Sequence, residues 1–362
     1  MGLGFLKPAQ SSSSQSVVGI DVGSSSIKVI QLKKKGGKAV LETYGEIALG
    51  PYASTPVGSL TNLKPEEIVE AIKQIFKESQ ITTNNAAIAI PSSASLIFIL
   101  EIPGVLGEKE LKDVVPIEAR RYIPVPISEV SLDWWMIPKR EEESEDQKKE
   151  NVTEVLVVAI HNETVVRYQE IVEKSGLGGA FYEIEIFSNI RSVLGHDLSS
   201  VLLMDIGASK TKLAIVDNGV VKKFHVISRG SYDISSNLSK SLGLPFGKAE
   251  EVKKEYGLEG VGTNKNISDT AKLIIDYIFS ETKDIILDYE KRNNKTVSKM
   301  ILSGGGAMLK GLLPAAKASF NLDVIISDPF SHAETPEFLK DALKTSGPPF
   351  SVAVGLALRK LQ

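Results

Sequence analysis

Val17-Val18-Gly19-Ile20-Asp21-Val22-Gly23-Ser24-Ser25-Ser26-Ile27-Lys28 has a counterpart in the second half of the chain, Val201-Leu202-Leu203-Met204-Asp205-Ile206-Gly207-Ala208-Ser209-Lys210-Thr211-Lys212. Each is a run of apolar strand residues, an Asp-x-Gly step, small hydroxyl-bearing residues and a return to strand. A hairpin turn of this composition aims backbone N–H groups and hydroxyls at one point, with a carboxylate held just behind. Two such turns set face to face suit the phosphates of a nucleotide, and Asp21 and Asp205 are then placed to hold Mg²⁺ through water. One Asp-x-Gly alone could be any tight turn. The repetition, in the same context, is what carries the reading.

A third stretch, Ile301-Leu302-Ser303-Gly304-Gly305-Gly306-Ala307-Met308, links a strand to a helix through three glycines. Without side chains there, the backbone can pack against a flat adenine ring and its sugar. By itself it reads as a simple strand-to-helix turn. Behind two phosphate turns in this order, it completes a nucleotide site.

At 362 residues the chain has length for about two or three domains. Its 42% hydrophobic content supplies apolar surface for substantial cores. Basic and acidic residues nearly balance, 42 against 45 for a net of −3, which excludes the dense basic face of a nucleic-acid binder. The lack of cysteine removes disulfides, thiolate zinc sites and thiol nucleophiles, and suits a reducing cytoplasm. His161, His196, His225 and His332 are scattered without metal-ligand spacing. No apolar run reaches the roughly 18 residues of a membrane span. Residues 1–8 are too short and weakly basic for a signal peptide, and Leu6 stands where a myristoylation site needs Ser or Thr. Residues 11–14, all serine, read as a flexible spacer. The expectation is a soluble protein that meets a membrane only through a partner.

Periodicity places strands at residues 17–21, 27–33 and 39–48, with Lys34-Lys35-Gly36-Gly37 as a polar turn. Pro65-Glu66-Glu67 opens a helix with Ile68, Val69, Ile72, Ile75 and Phe76 on one face. Strands at 86–90 and 96–102 precede a helix at 108–122 that contains Pro116. In the next strand, 130–137, Trp134 and Trp135 must face opposite ways. Residues 139–151 are a charge run read as a solvated loop, 155–160 the returning strand, and 163–175 a helix ending on Gly176. The second half repeats the opening, with strands at 201–204, 211–216 and 220–228 and Asn218-Gly219 as the hairpin turn. Helices follow at 232–242, 248–256 and 268–292. A strand at 299–302, the glycine triplet, a helix, a strand at 324–327 and an apolar helix at 351–361 complete the chain. Two strand-hairpin-strand units, each followed by helices, predict a two-lobed α/β protein with a nucleotide in the cleft.

In these motifs and their order the chain resembles the superfamily of actin, heat-shock chaperones and hexokinases over essentially its whole length. Asp21-Val22-Gly23-Ser24 with Lys28 looks like the first phosphate motif, and Asp205-Ile206-Gly207-Ala208-Ser209 with Thr211 like the second. Ser303-Gly304-Gly305-Gly306 looks like the adenosine motif. The resemblance implies a duplicated, ribonuclease-H-like actin fold that binds ATP and Mg²⁺. It gives Lys28 the β- and γ-phosphates, and Ser24, Ser25 and neighbouring amides the phosphate oxygens. Asp21 and Asp205 would position the hydrated metal. Gly247-Lys248-Ala249-Glu250-Glu251-Val252-Lys253 is similar to the Ala-Glu-x-x-Lys helix of bacterial actins, which carries Glu250 and Lys253 toward base and ribose, on the side of Gly230. An i,i+3 surface pair is the plainer alternative for those two. The water-orienting residue of the superfamily lies on the helix linking the lobes. Phe181-Tyr182-Glu183-Ile184-Glu185-Ile186-Phe187-Ser188-Asn189-Ile190-Arg191 occupies that place, making Glu185, with Asp205, the catalytic candidate.

Val115-Pro116-Ile117-Glu118-Ala119-Arg120-Arg121-Tyr122-Ile123-Pro124-Val125-Pro126, followed by Val130-Ser131-Leu132-Asp133-Trp134, narrows the resemblance to the PilM family, the actin-like components of type IV pilus machines. Ile186 and Ser188 stand where that family usually has proline and alanine, and Arg229-Gly230-Ser231 where a Gly-Gly pair is common. Membership implies a small inserted α+β domain at residues 85–160, of a type shared with the FtsA division proteins. The first lobe would comprise 17–84 and 161–200, the second 201–335, with 336–362 returning to the first. The implied partner is the N-terminal cytoplasmic peptide of PilN, held between insert and first lobe near Arg120, Arg121 and Tyr122. Through PilN it would engage PilO and the pilus motor ATPases or platform protein, from the cytoplasmic side of the inner membrane. Tight Mg-ATP binding with slow hydrolysis at best is expected, binding being the useful act. An FtsA-like division protein is the second reading, set lower because an FtsA-type linker and membrane-targeting helix do not follow residue 361. A small-molecule kinase is the third, lacking a recognisable catalytic aspartate loop. Whether the chain forms a homo-oligomer or ring is left open.

Overall fold

The computed structural model describes residues 16–138, 152–195, 197–260 and 265–362. The N-terminal serine spacer, the charge run at 139–151 and His196 lie outside the described residues. The chain opens with β1 (Ser16–Val22), β2 (Ser26–Lys35) and β3 (Lys38–Ala48), then α1 (Pro65–Glu78) and β4 (Asn85–Ile90). β5 (Ser95–Pro103), α2 (Glu108–Ala119), β6 (Val130–Met136) and β7 (Val152–His161) follow, then α3 (Asn162–Lys174), β8 (Gly178–Ile184) and α4 (Glu185–Leu194). The second half contains β9 (Val201–Ile206), β10 (Thr211–Asp217), β11 (Val220–Ile227), α5 (Ser231–Leu242), α6 (Phe246–Tyr256) and α7 (Lys265–Asn293). It ends with β12 (Lys299–Ser303), α8 (Leu312–Ser319), β13 (Asp323–Ile326), α9 (Lys340–Ser346) and α10 (Ser351–Leu361).

The duplication read in the sequence is a duplication of sheets. One runs β3-β2-β1-β4-β8 and the other β11-β10-β9-β12-β13. In each, the first three strands form an antiparallel meander and the last two pair parallel. The strands nearest the sheet centres are apolar on both faces, because helices cover both: every residue of β4 and β9 is buried. A third, antiparallel sheet, β5-β7-β6, packs against α2 around Leu100, Leu111, Val115 and Val157. Lys222 of β11 reaches Glu154 of β7 at 2.6 Å, which ties this small unit to the second lobe. The chain therefore has the two-lobed actin-like α/β fold, with a small α+β insert.

One boundary differs from the periodicity reading and one from the superfamily resemblance. The helix expected at 108–122 ends at Ala119, where Arg121 and Tyr122 donate tightened turn bonds to Glu118 and Ala119 ahead of Pro124. Residues 181–184 belong to a strand, because Phe181, Tyr182, Glu183 and Ile184 pair in parallel with Ala87, Ile88, Ala89 and Ile90. The linking helix begins only at Glu185. The tryptophans do face opposite ways: Trp134 packs on the insert core and Trp135 is exposed.

α10 is apolar nearly all round because it is enclosed, its residues 351–357 all buried. Gly19 of β1 and Gly355 of α10 are the points of closest approach. A Cβ on Gly19 would strike the Ala353 carbonyl, and one on Gly355 the Ser188 carbonyl of α4.

Candidate functional site

Each Asp-x-Gly hairpin closes by the same bond. The Gly23 N–H donates to the Ser26 carbonyl at 3.0 Å, and the Gly207 N–H to the Lys210 carbonyl at 3.0 Å. The two turns face each other across a cleft of about 930 Å³. They touch where Ser24 Oγ donates to Ser209 Oγ at 3.2 Å. Asp21, Gly23, Ser24, Ser25 and Lys28 line the first-lobe wall; Asp205, Gly207, Ala208 and Ser209 line the second. Gly230, Glu250, Lys253, Gly304, Gly305 and Gly306 line the same cleft, as does Glu185. Of the residues singled out in the sequence, Thr211 is not brought to the surface of the cleft. It is fully buried and its hydroxyl donates to the Arg229 carbonyl at 2.9 Å, bracing the turn from behind.

Glycine at 304 meets a steric demand. Its φ is +79°, and a side chain there would run into the Asp205 carboxylate and the Ile206 carbonyl. The glycine triplet thus lies directly on the second Asp-x-Gly turn. Gly58, from the first lobe, approaches Glu250 of α6 so closely that a Cβ would sit 2.9 Å from its carboxyl carbon. The cleft is therefore bridged at this end too.

Glu250 and Lys253 are not a surface pair. Both are buried, their charged atoms 2.7 Å apart, with Ser235 Oγ donating to Glu250 at 2.6 Å and Lys253 donating to the Ser231 carbonyl at 3.2 Å. Burial works to raise the Glu250 carboxyl, but Lys253 and Ser235 outweigh it and hold the group below its ordinary value. Burial lowers the Lys253 ammonium despite that partner.

The sequence reading passed over Lys212. Its Nζ lies 3.0 Å from Glu185 Oε2 and 3.1 Å from Asp205 Oδ2, and the other Glu185 oxygen accepts the Ser92 N–H at 2.8 Å. Burial works against the Lys212 charge, but the carboxylates of Asp205, Glu185 and Asp21 outweigh it and hold the ammonium well above its ordinary value. Burial pushes the Asp21 carboxyl up to about 6; Glu185 and Asp205 add to the rise, while Lys28 and Lys212 oppose it. Lys28 donates to Ser26 Oγ at 2.7 Å and pairs with Glu46 at 3.3 Å. The signal for Lys212 was in the sequence: a hairpin closed at Gly207–Lys210 sets Lys212 directly opposite Asp205.

Asn189, on the linking helix, is 1% exposed at the cleft wall. Its Oδ1 accepts from Ser303 Oγ at 3.0 Å, while its Nδ2 has no hydrogen-bond partner. A buried donor left without a partner costs about 1–3 kcal/mol, so it fits a cleft that takes a polar ligand. The paired turns, the glycine cradle and this donor suit an adenine nucleotide. For a metal the fit is narrower. Among the described residues no three His, Cys, Asp or Glu side chains converge on one point, so magnesium at Asp21 and Asp205 would take most of its ligands from water and phosphate oxygens.

Elsewhere, Tyr122 is exposed and stacks on Phe98 with ring centroids 4.9 Å apart, and Arg121 pairs with Glu118 at 3.0 Å, all on the insert. Among the described residues no helix is long and apolar enough to cross a membrane.

Among solved structures, the chain is similar to one described as a PilM–PilN type IV pilus biogenesis complex. The TM-score is 0.78 at 22% identity, over 96% of this chain and 98% of that one. Spiroplasma citri MreB 5 bound to AMPPNP gives a TM-score of 0.53 at 14% identity, over 96% of each chain. In sequence, the chain is 28% identical to the cell division protein FtsA of Neisseria meningitidis, over 56% of this chain and about half, 53%, of that protein. FtsA of Bacillus subtilis is 23% identical over 86% of this chain and 78% of its own length. The family profile of the type IV pilus assembly protein PilM matches residues 19–361. With nearly the whole described chain matched, this protein belongs to the PilM family of type IV pilus assembly proteins.

Proposed function

We propose that this chain is an ATP-binding scaffold of the type IV pilus assembly platform. The observation that carries the nucleotide part is the meeting of two identically closed turns, Ser24 against Ser209, over a cleft that also receives the glycine triplet. Lys28, Ser24, Ser25, Gly23, Gly207, Ala208 and Ser209 would hold the phosphates. Gly304, Gly305, Gly306, Gly230, Glu250 and Lys253 would hold base and ribose, with Thr211 as support. Magnesium, reached through water by Asp21 and Asp205, would neutralise phosphate charge. Glu185 and Asp205 would orient water, and turnover would be slow because both Glu185 oxygens already accept hydrogen bonds. Residues 17–84 with 161–200, 85–160, 201–335 and 336–362 would be the first lobe, the insert, the second lobe and the returning segment.

The partner would be the N-terminal cytoplasmic peptide of a PilN protein, docking by the insert and connecting through PilO to the pilus motor at the inner membrane. Family membership and the fold of the PilM–PilN complex support this. The FtsA relatives favour a second reading, a division protein, and one experiment separates the two. Purified chain with Mg-ATP should retain a PilN N-terminal peptide and not an FtsZ tail peptide; the reverse result would replace the pilus reading. Calorimetry should register ATP binding to the same material, and no binding heat would remove the nucleotide reading.

A further inference from the structure

Lys28 and Lys212 stand at the same step of the duplicated hairpin, Lys28 paired across the strands with Asp21 and Lys212 with Asp205. Residues directly opposite in an antiparallel pair share a face of the sheet, so each turn carries a lysine beside its aspartate. The two lysines are used differently. Lys28 turns to Ser26 and Glu46. Lys212 stays at the turn, 14% exposed, with Asp205 and Glu185 on either side of its ammonium. Ser92 fixes Glu185 from the far side, so one of the two carboxylates that hold the ammonium is itself held.

A triphosphate between these turns meets Asp21, Asp205 and Glu185, and its charge must be neutralised by something. In a cleft of reduced dielectric, like-charge repulsion over a few ångströms is several-fold stronger than in water. The described residues do not gather three carboxylates or imidazoles around one point for a directly bound ion. Asp205 Oδ2 already accepts from Lys212. We infer that Lys212 is a resident cation of the nucleotide cleft, its ammonium supplying part of the neutralisation otherwise left to magnesium, so that this protein holds nucleotide with a weakened dependence on divalent ions. The inference rests on the nucleotide reading above and concerns how that site handles charge.

The test is calorimetric titration of the full chain with the non-hydrolysable analogue AMPPNP, once with magnesium and once with EDTA. The quantity read is the ratio of the two affinities. In Lys212→Met that ratio should rise at least tenfold over the parent, because magnesium must do the work the ammonium did. Lys212→Arg, which keeps the charge, should stay within threefold of the parent. Should the methionine variant not fold, Lys212→Gln retains hydrogen-bond donors to both carboxylates without the charge and should show the same rise. A ratio unchanged within threefold in the uncharged variants would overturn the inference while leaving the nucleotide reading intact. A rise in the arginine variant equal to that in the uncharged ones would also overturn it. Absence of binding by the parent under both conditions would overturn both.

Discussion

The Ser24 hydroxyl donates to the Ser209 hydroxyl at 3.2 Å, so the turn of one lobe is bonded tip to tip with the turn of the other. Both hydroxyls can exchange that bond for phosphate oxygens, and a neutral hydrogen bond contributes about 0.5–1.5 kcal/mol net. Ser24→Ala and Ser209→Ala should therefore each weaken ATP binding by about three- to tenfold, as read by calorimetry. Unchanged affinity in the double variant would take these turns out of the phosphate site.

Asp21 gives a pH signature of known sign. Its carboxyl is pushed from the usual 3.8 up to about 6, chiefly by burial, so the folded chain keeps this proton longer than the unfolded chain does. The stability this group contributes is present below about pH 4 and is lost as pH rises through about 6. Asp21→Asn should raise the melting temperature at pH 7.5, and the gain should vanish at pH 4. A variant less stable than the parent at pH 7.5 would contradict the assignment.

Glu183, at the end of β8, is 1% exposed and bound bidentately by Arg191 at 2.6 and 2.7 Å, with the Ser188 hydroxyl also donating to it. Removing one partner of a buried pair leaves an uncompensated charge and costs about 3–5 kcal/mol. Arg191→Met should lower the urea stability by about 3 kcal/mol, somewhat cushioned by Arg359, which lies 3.9 Å from Glu183. A loss under about 1 kcal/mol would show that the pair does not brace the linking helix.

Lys253 and Glu250 allow a thermodynamic cycle. Lys253→Met alone strips the buried Glu250 of its nearest cation, and should cost about 2–4 kcal/mol in urea unfolding. Adding Glu250→Gln should restore part of that loss, since no buried charge is then left unpaired. A double variant less stable than the sum of the singles would refute the coupling.

The turns were legible because their chemistry is local: Asp-x-Gly between apolar strands specifies a hairpin whatever surrounds it. The triplet at Gly304–Gly306 and the enclosed helix at 351–361 were legible for the same reason, glycine permissiveness in one case and unbroken apolarity in the other. Residues 181–184 were misread because these four residues of strand run without a break into Glu185, and only pairing with β4 decides between strand and helix. Burial of Glu250 and Lys253 could not be read from an i,i+3 spacing that suits an exposed pair equally well. It depends on Ser235 and on Gly58 of the other lobe, both distant in sequence. Lys212 was overlooked although hairpin register alone places it opposite Asp205.

Gly19 and Gly355 let α10 press between β1 and α4, so the first lobe is finished by residues 351–361. The second sheet, by contrast, is made entirely of residues 201–326. During synthesis, when domains commonly form in order of emergence, this arrangement inverts the sequence of events. The second lobe can complete itself as a local unit, while the lobe translated first keeps an apolar sheet face uncovered until the closing helix leaves the ribosome.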